Sequence, residues 1–188
     1  QYERVVSSVS ELSPYAILVG LAEKARGNAL ALPESYAAQT HATGLGFNLL
    51  DQRFVASMDE VVELMRLPPT TRVPGVKEFV LGVGNVRGRL MTVIDLAVFF
   101  GEVSLIPNSQ RRVMAVEDGE NLIGFVIDFS SGMQHFPSDA FIDQPVDVPE
   151  LFAEFVRGGY QVAGVQWPVL SLSAIAGDSR LAKLAMVH

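Results

Sequence analysis

Arg87 and Arg89 sit among three glycines, in the run FVLGVGNVRGRLMTVIDL at residues 79–96. Glycines beside cations are what a phosphate-binding loop is made from, because bare backbone N–H groups and a guanidinium can meet an anion together. The spacing argues against such a loop. A dinucleotide fingerprint needs glycine at relative positions one, three and six, then a helix. Gly82 and Gly84 fill the first two, but Arg87 stands sixth and the chain continues as the strand-like RLMTVI. The Gly-Lys-Ser/Thr of a P-loop is absent. The run reads instead as two strands around a tight turn, Asn85-Val86-Arg87-Gly88, with asparagine favoured first and glycine last. Arg87 then faces outward from a tip, as a solvated or locally ion-paired side chain or as a docking residue, since arginine is enriched at interface hot spots. The rival chemistry is an anion clamp of Arg87 and Arg89 in a small phosphate-handling enzyme.

Other catalytic sets are scarce. His41, His135 and His188 are scattered without metal-ligand spacing. No Gly-x-Ser-x-Gly elbow marks a serine nucleophile. Asp128, Asp139, Asp143 and Asp147 lack the alternate-residue spacing and closing glutamate of a calcium loop, and read as a solvated acidic stretch. With no cysteine, thiolate metal sites, disulfides and thiol nucleophiles are excluded. Nothing in these patterns demands an enzyme, a metal or a cofactor.

Charge narrows the partners. The net charge is -7, which disfavours nucleic acid and anionic membrane surfaces. Residues 44–101 carry six acids and six bases, whereas 102–188 carry eleven acids against five bases, so two surfaces differ in character. The longest apolar run, near residues 15–22, is short of the roughly 18 residues a spanning helix needs, so no direct membrane insertion is expected. The chain opens on Gln1, so any start methionine or leader is missing from this sequence. These features read as a soluble, cytoplasmic protein.

The elements that must position Arg87 follow from the chain's texture. Residues 1–43 are Ala/Leu-rich and read as a helical extension, with Ser13-Pro14 opening a helix, Gly27 closing it, and a second short helix after Pro33. From Gly44 to about residue 180 short β-rich runs alternate with turn signals. GFNLL (46–50) and RFVAS (53–57) predict strands joined by Asp51-Gln52. Ser57-Met58-Asp59-Glu60 predicts a capping box opening a short helix VVELMRL, stopped by Pro68-Pro69. Asp95 predicts an N-cap for LAVFF, with Gly101 behind it. RVMAVE (112–117) and NLIGFVID (121–128) predict a hairpin around Asp118-Gly119, followed by a helix over 149–156, the strands YQVAGV and WPVL, and a helical tail at 181–188. Phe99, Phe100, Phe125, Phe129, Phe152 and Phe155 are core candidates, with Trp167 partly exposed. Residues 88–101 (GRLMTVIDLAVFFG) and 164–177 (GVQWPVLSLSAIAG) share a glycine–strand–cap–helix–glycine pattern 76 residues apart, which suggests two related halves.

The run from Phe54 to Gly101 resembles the CheW-like adaptor domain of bacterial chemotaxis. The residues that carry the resemblance are Val61-Val62-Glu63-Leu64, then Val73-Pro74-Gly75, then Leu81-Gly82-Val83-Gly84-Asn85-Val86-Arg87-Gly88, and the closing Ile94-Asp95-Leu96. The helical extension, the entry at Gly44-Leu45-Gly46-Phe47 and the ending Trp167-Pro168-Val169-Leu170-Ser171-Leu172 are similar to the branch of the family that serves type IV pilus twitching motility. The resemblance implies two interlocked five-stranded SH3-like barrels and no catalysis. It implies a scaffold that holds a chemoreceptor's cytoplasmic tip and the regulatory domain of a CheA-type histidine kinase in a membrane-attached array, with self-association in rings. It assigns receptor docking to Arg87, Val61, Glu63 and Asn85, and fold or interface roles to Gly82, Gly88 and Asp95. A regulatory fragment of a larger chemotaxis kinase has the same signature and is the rival within the family. Gly84 departs from the pattern by adding a second glycine to the hairpin, which implies a bulged or flexible strand.

Overall fold

The computed structural model describes residues 41–143 and 146–183. The two helices expected within 1–40, His188 and the end of the expected tail lie outside the described residues. The described chain is mostly β, with four short helices. Its order is β1 (His41–Leu49), β2 (Gln52–Ser57), β3 (Val61–Arg66), β4 (Thr70–Thr71), β5 (Val80–Val86), β6 (Arg89–Asp95) and α1 (Leu96–Phe99). Then come β7 (Arg112–Asp118), β8 (Asn121–Ile127), β9 (Phe129–Pro137), a 3-10 turn (Ser138–Ala140), β10 (Phe141–Ile142) and α2 (Glu150–Ala153). The last elements are β11 (Val156–Val162), β12 (Val165–Leu170), α3 (Leu172–Ala176) and α4 (Ser179–Ala182).

Two six-stranded sheets result, in the orders β10-β11-β12-β2-β1-β9 and β3-β7-β8-β6-β5-β4. Each has five strands of at least six residues and one of two residues. The second sheet is continuous in sequence. The first is built from both sides of it, because β1 and β2 precede it yet pair with β9 and β12 after it. We call β3–β8 the inserted half and β1, β2 and β9–β12 the enclosing half.

The two halves repeat each other in arrangement, and their hairpin-and-helix parts, β5–β6–α1 and β11–β12–α3, stand 76 residues apart. In each, a hairpin (β5–β6, β11–β12) lies parallel to one strand of a second hairpin (β8 beside β6, β2 beside β12). In each, the two edge strands of the sheet are joined by three residues, Leu67–Pro69 or Ser138–Ala140. The register shifts at Val80/Gly82 and again at Val156/Gly159. Asp95 and Ser171 cap the helices after β6 and β12 with nearly the same backbone, φ/ψ of -80°/108° and -80°/104°. Their N–H groups donate to the Phe79 and Phe155 carbonyls at 2.7 and 2.8 Å. The internal similarity in the sequence is therefore a structural repeat.

A shared apolar core joins the halves. Phe47 and Phe54 of the enclosing half, Ile94, Met114 and Phe125 of the inserted half and Leu172 of α3 are all buried in it. Aromatic contacts run through it from Phe54 to Phe152 and from Phe152 to Phe100, with centroids 4.8 and 4.7 Å apart. Such edge-on pairs add about 0.5–1.5 kcal/mol each beyond burial. A second, smaller cluster of Met91, Val93, Val113, Ala115, Leu122 and Val126 belongs to the inserted half alone.

Five expectations are corrected here. Residues 61–66 form a strand, not a helix. Six residues make a marginal helix, the adjacent valines favour extended backbone, and the edge of β7 offers a ladder from Val61↔Val116 to Arg66↔Arg112. The helix over 149–156 shrinks to Glu150–Ala153, because Val156 is taken into β11 opposite Leu170. Phe129 is exposed, since it opens the edge strand β9 just after the chain crosses between halves. Asp128 is buried rather than solvated, although Asp139, Asp143 and Asp147 are exposed as expected. β1 also begins at His41, five residues ahead of the expected strand.

Candidate functional site

The β5–β6 hairpin closes in two residues. Val86 pairs with Arg89, and Arg87 and Gly88 between them have φ of 52° and 81°. Positive φ at both central positions is what the type I′ hairpin turn requires. The turn therefore starts one residue later than expected. Asn85 still holds it, because its Oδ1 accepts from the Gly88 N–H at 3.0 Å. Gly88 has open space around its Cα and is needed for φ alone.

Gly82, by contrast, is needed for space as well. Its φ is 146°, and a Cβ there would stand 2.3 Å from the Thr71 carbonyl oxygen of β4. The bulge expected near Gly84 lies just before it, at Val80/Gly82. Gly158, 76 residues on, meets the Ile142 carbonyl of β10 in the same way at 2.5 Å, with φ of 73°.

Arg87 reaches from the turn to β3. Its Nη2 donates to Glu63 Oε1 at 2.8 Å, and the arginine side chain stays 79 % exposed. Two residues along, Arg89 Nη1 donates to Glu117 Oε1 at 2.6 Å. β3 alternates, with Val61, Glu63 and Met65 half-buried and Val62, Leu64 and Arg66 exposed. Val61 packs on the shared core and Met65 on the smaller cluster, so Glu63 is the polar residue of an otherwise inward row. Three of the four expected docking residues, Glu63, Asn85 and Arg87, are thus linked around one turn, with Val61 on the same row of β3. The anion clamp is not formed, because Arg87 and Arg89 are each committed to a different carboxylate.

Asp95, expected as a cap, is also half of a buried ionic cluster that composition and spacing do not reveal. Its Oδ1 accepts from the Ala97 N–H at 3.0 Å. Arg111, 2 % exposed, grips the same carboxylate with two hydrogen bonds of 2.7 and 2.9 Å. Arg111 Nε lies 3.3 Å from Asp128 Oδ1, an ion-pair distance, yet has no aligned hydrogen-bond partner, so the attraction there is Coulombic. Asp128 in turn accepts from the Ser104 hydroxyl and from the Leu50 N–H. One guanidinium thus ties the α1 cap to the point where the chain crosses between halves. Among the described residues no three His, Asp or Glu side chains gather as a metal site, and no helix is long and apolar enough to cross a membrane.

Residues 43–180 match the CheW-like domain family. The chain belongs to that family. It is 37 % identical over 164 residues to protein PilI of Pseudomonas aeruginosa, covering 87 % of this chain and 92 % of that one. It is 26 % identical over 114 residues to a probable chemotaxis protein CheW of Rhizobium etli, covering 61 % and 74 %. A crystal structure of the scaffolding protein TtCheW from Thermoanaerobacter tengcongensis shares the fold, with a TM-score of 0.65 at 21 % identity over 74 % of this chain and 94 % of that one. The chain is a chemosensory adaptor of the CheW-like type, and the signature turn around Arg87 falls within the matched span.

Proposed function

We propose that this CheW-like adaptor is a non-catalytic coupler that holds a chemoreceptor's cytoplasmic tip to the regulatory domain of a CheA-type kinase, in the pathway that drives type IV pilus twitching. The pilus assignment is supported by the similarity to PilI along nearly the whole of both chains. The repeat of hairpin, parallel junction and edge closure fits two interlocked SH3-like barrels of five main strands each.

The observation that carries the docking role is Arg87 itself, 79 % exposed on a stiff two-residue turn and oriented by Glu63. A receptor tip is a helical hairpin, and an apolar stripe laid against Val61 with a carboxylate at Arg87 would fix its register. Individual contacts need be only weak, because an array supplies avidity. Val62, Leu64 and Leu90 are exposed apolar side chains of the inserted half, and the first two point away from the Glu63 row of β3. They are our candidates for the kinase-facing surface.

The test is a titration of the full chain against a twitching-type receptor tip and the paired kinase's regulatory domain, with native protein and with Arg87→Glu. The expected result is binding of both fragments natively and loss of the receptor alone in the variant. Binding of neither fragment by a folded chain would sink the coupling role.

A further inference from the structure

The repeat allows the two halves to be compared station by station, and one end of them differs. In the inserted half, Met91 of β6 pairs with Leu122 of β8, two residues before the Val93↔Gly124 pair. Both side chains are buried in the small apolar cluster. Beside them, Arg87 of the turn and Arg89 of β6 are ion-paired to Glu63 and Glu117, which ties that end to the neighbouring strands β3 and β7.

In the enclosing half the parallel register is the single pair Val169↔Val55, and two residues before it on the two strands stand Trp167 and Arg53. The Arg53 guanidinium stands over the indole at 4.9 Å. The stations of Arg87 and Arg89 are Ala163 and Val165, which can form no ion pair. This end is open, with a cavity of about 380 Å³. Phe136, packed edge-on against Trp167 with centroids 5.6 Å apart, is buried beneath it. Val162 and Val165 flank it, each 37 % exposed.

Its charge is as one-sided as its shape. Among the described residues, Arg53 and His135 line the cavity with Asn48, Ser131 and Gln134, and no Asp or Glu does, in a chain of net charge -7. Among the described residues, no carboxylate lies within ion-pair distance of Arg53. A core would place an apolar pair at these stations, as the other half does. A half-buried tryptophan under an arginine that has no carboxylate partner among the described residues is instead the composition of an interface hot spot.

We propose that this cavity is a docking site for an acidic peptide segment of a partner protein. One apolar side chain of the segment seats against Trp167 and Phe136 between the two valines, and a carboxylate beside it takes the charge-assisted hydrogen bonds of Arg53. The site lies in the half that does not carry the Arg87 turn, so it adds a second contact to the adaptor.

The chain has a single tryptophan, so the full-length protein reports on the site by its own fluorescence. The probes are two pools of acetylated hexapeptide amides, alternating Leu, Val, Ile or Phe with either Asp/Glu or Lys/Arg. Iodide is expected to quench Trp167 in the free chain, and the acidic pool to give a saturable emission change and to protect against quenching. Replacing the charge partner, as Arg53→Leu, is expected to weaken the response about tenfold or more, while Arg53→Lys stays within about threefold. Leu122 at the equivalent station indicates that Arg53→Leu folds, and a urea melt of the variant checks it. A Trp167 that iodide cannot reach in the free chain overturns the proposal, as does an equal or absent response to both pools. An undiminished response of folded Arg53→Leu also overturns it. N-acetyl-leucine producing the same change at the same concentration would assign the site to small carboxylates rather than to a peptide.

Discussion

The Glu60 carboxylate accepts a hydrogen bond from the Leu172 N–H at 3.2 Å, across 112 residues of chain. The same side chain accepts from the Ser173 N–H at 3.2 Å and from the Ser173 hydroxyl at 2.6 Å. Glu60 belongs to the turn that enters the inserted half, and Leu172 opens α3 at the end of the enclosing half. A capping interaction thus joins the two, since the first N–H groups of a helix have no partner within it.

Truncating Glu60→Ala is expected to destabilise the protein by about 1–2 kcal/mol, the range for losing a cap and its charge-assisted bonds. Glu60→Gln keeps an acceptor and should cost less. Urea unfolding of the three proteins reads the difference, and a Glu60→Ala midpoint equal to the native one would show that water replaces the cap without loss.

Arg111 makes a sharper case. Removing it as Arg111→Met leaves Asp95 and Asp128 buried, at 7 % and 5 % exposure, without their cation. An uncompensated buried charge costs about 3–5 kcal/mol. Adding Asp128→Asn to that variant removes one of the stranded charges and keeps an acceptor for the Leu50 N–H, so the double variant should be more stable than Arg111→Met alone. Simple additivity of the two single effects in denaturant melts would refute the idea that the three groups act as one cluster.

Much of this architecture was legible in the sequence where local chemistry and tertiary context agree. The β7–β8 hairpin, the Asp95 cap and the 76-residue repeat all rest on turn and capping residues that work the same way in isolation and in the fold. Glu60 and the segment after it show where that agreement ends. Ser57 and Glu60 do carry capping-box chemistry, but Ser57 makes a local turn, accepting from the Asp59 and Glu60 N–H groups, and Glu60 caps a helix from the other half. Residues 61–66 then become a strand because β7 lies beside them. Asp128 failed for the same reason, as its burial depends on Arg111, Ser104 and the β1–β2 turn. At the site, Arg87 was placed by its turn, whereas the Arg53–Trp167 pair was out of reach. Only a parallel pairing between β2 and β12, 114 residues apart in chain order (169 less 55), brings them together.

The glycines permit a test that separates backbone conformation from crowding. Gly88→Ala meets open space and pays only for its positive φ, about 1 kcal/mol. Gly82→Ala must also push β4 away from β5, so about 2–4 kcal/mol is expected. Gly158→Ala should resemble Gly82→Ala, because a Cβ there would stand 2.5 Å from the Ile142 carbonyl oxygen of β10. Thermal or urea melts of the three variants decide the order. Equal losses at positions 82 and 88 would mean that β4 yields freely and that the close approach has no energetic weight.

The last pair gives a dependence on pH. Arg180 donates to both oxygens of Asp178, from Nε at 2.8 Å and from Nη2 at 3.2 Å, and its guanidinium lies 4.0 Å from the Phe99 ring centroid. The hydrogen-bonded guanidinium holds the Asp178 carboxyl below its ordinary value of 3.8. A carboxylate depressed in the folded state is more acidic there than in the unfolded chain. Its stabilising effect is therefore complete above the unfolded value and fades as the pH falls through the folded one. Because Arg180 is 40 % exposed, solvent screening limits the pair to about 0.5 kcal/mol. Asp178→Asn retains an acceptor for the Arg180 N–H, which caps α4, and deletes only the charge. Native protein and variant should thus differ by that amount at neutral pH, draw together once the pH falls below the ordinary carboxylate value, and converge below the depressed one. A gap that stays constant from neutral to acid would assign the effect of Asp178 to the cap and leave the ion pair without weight.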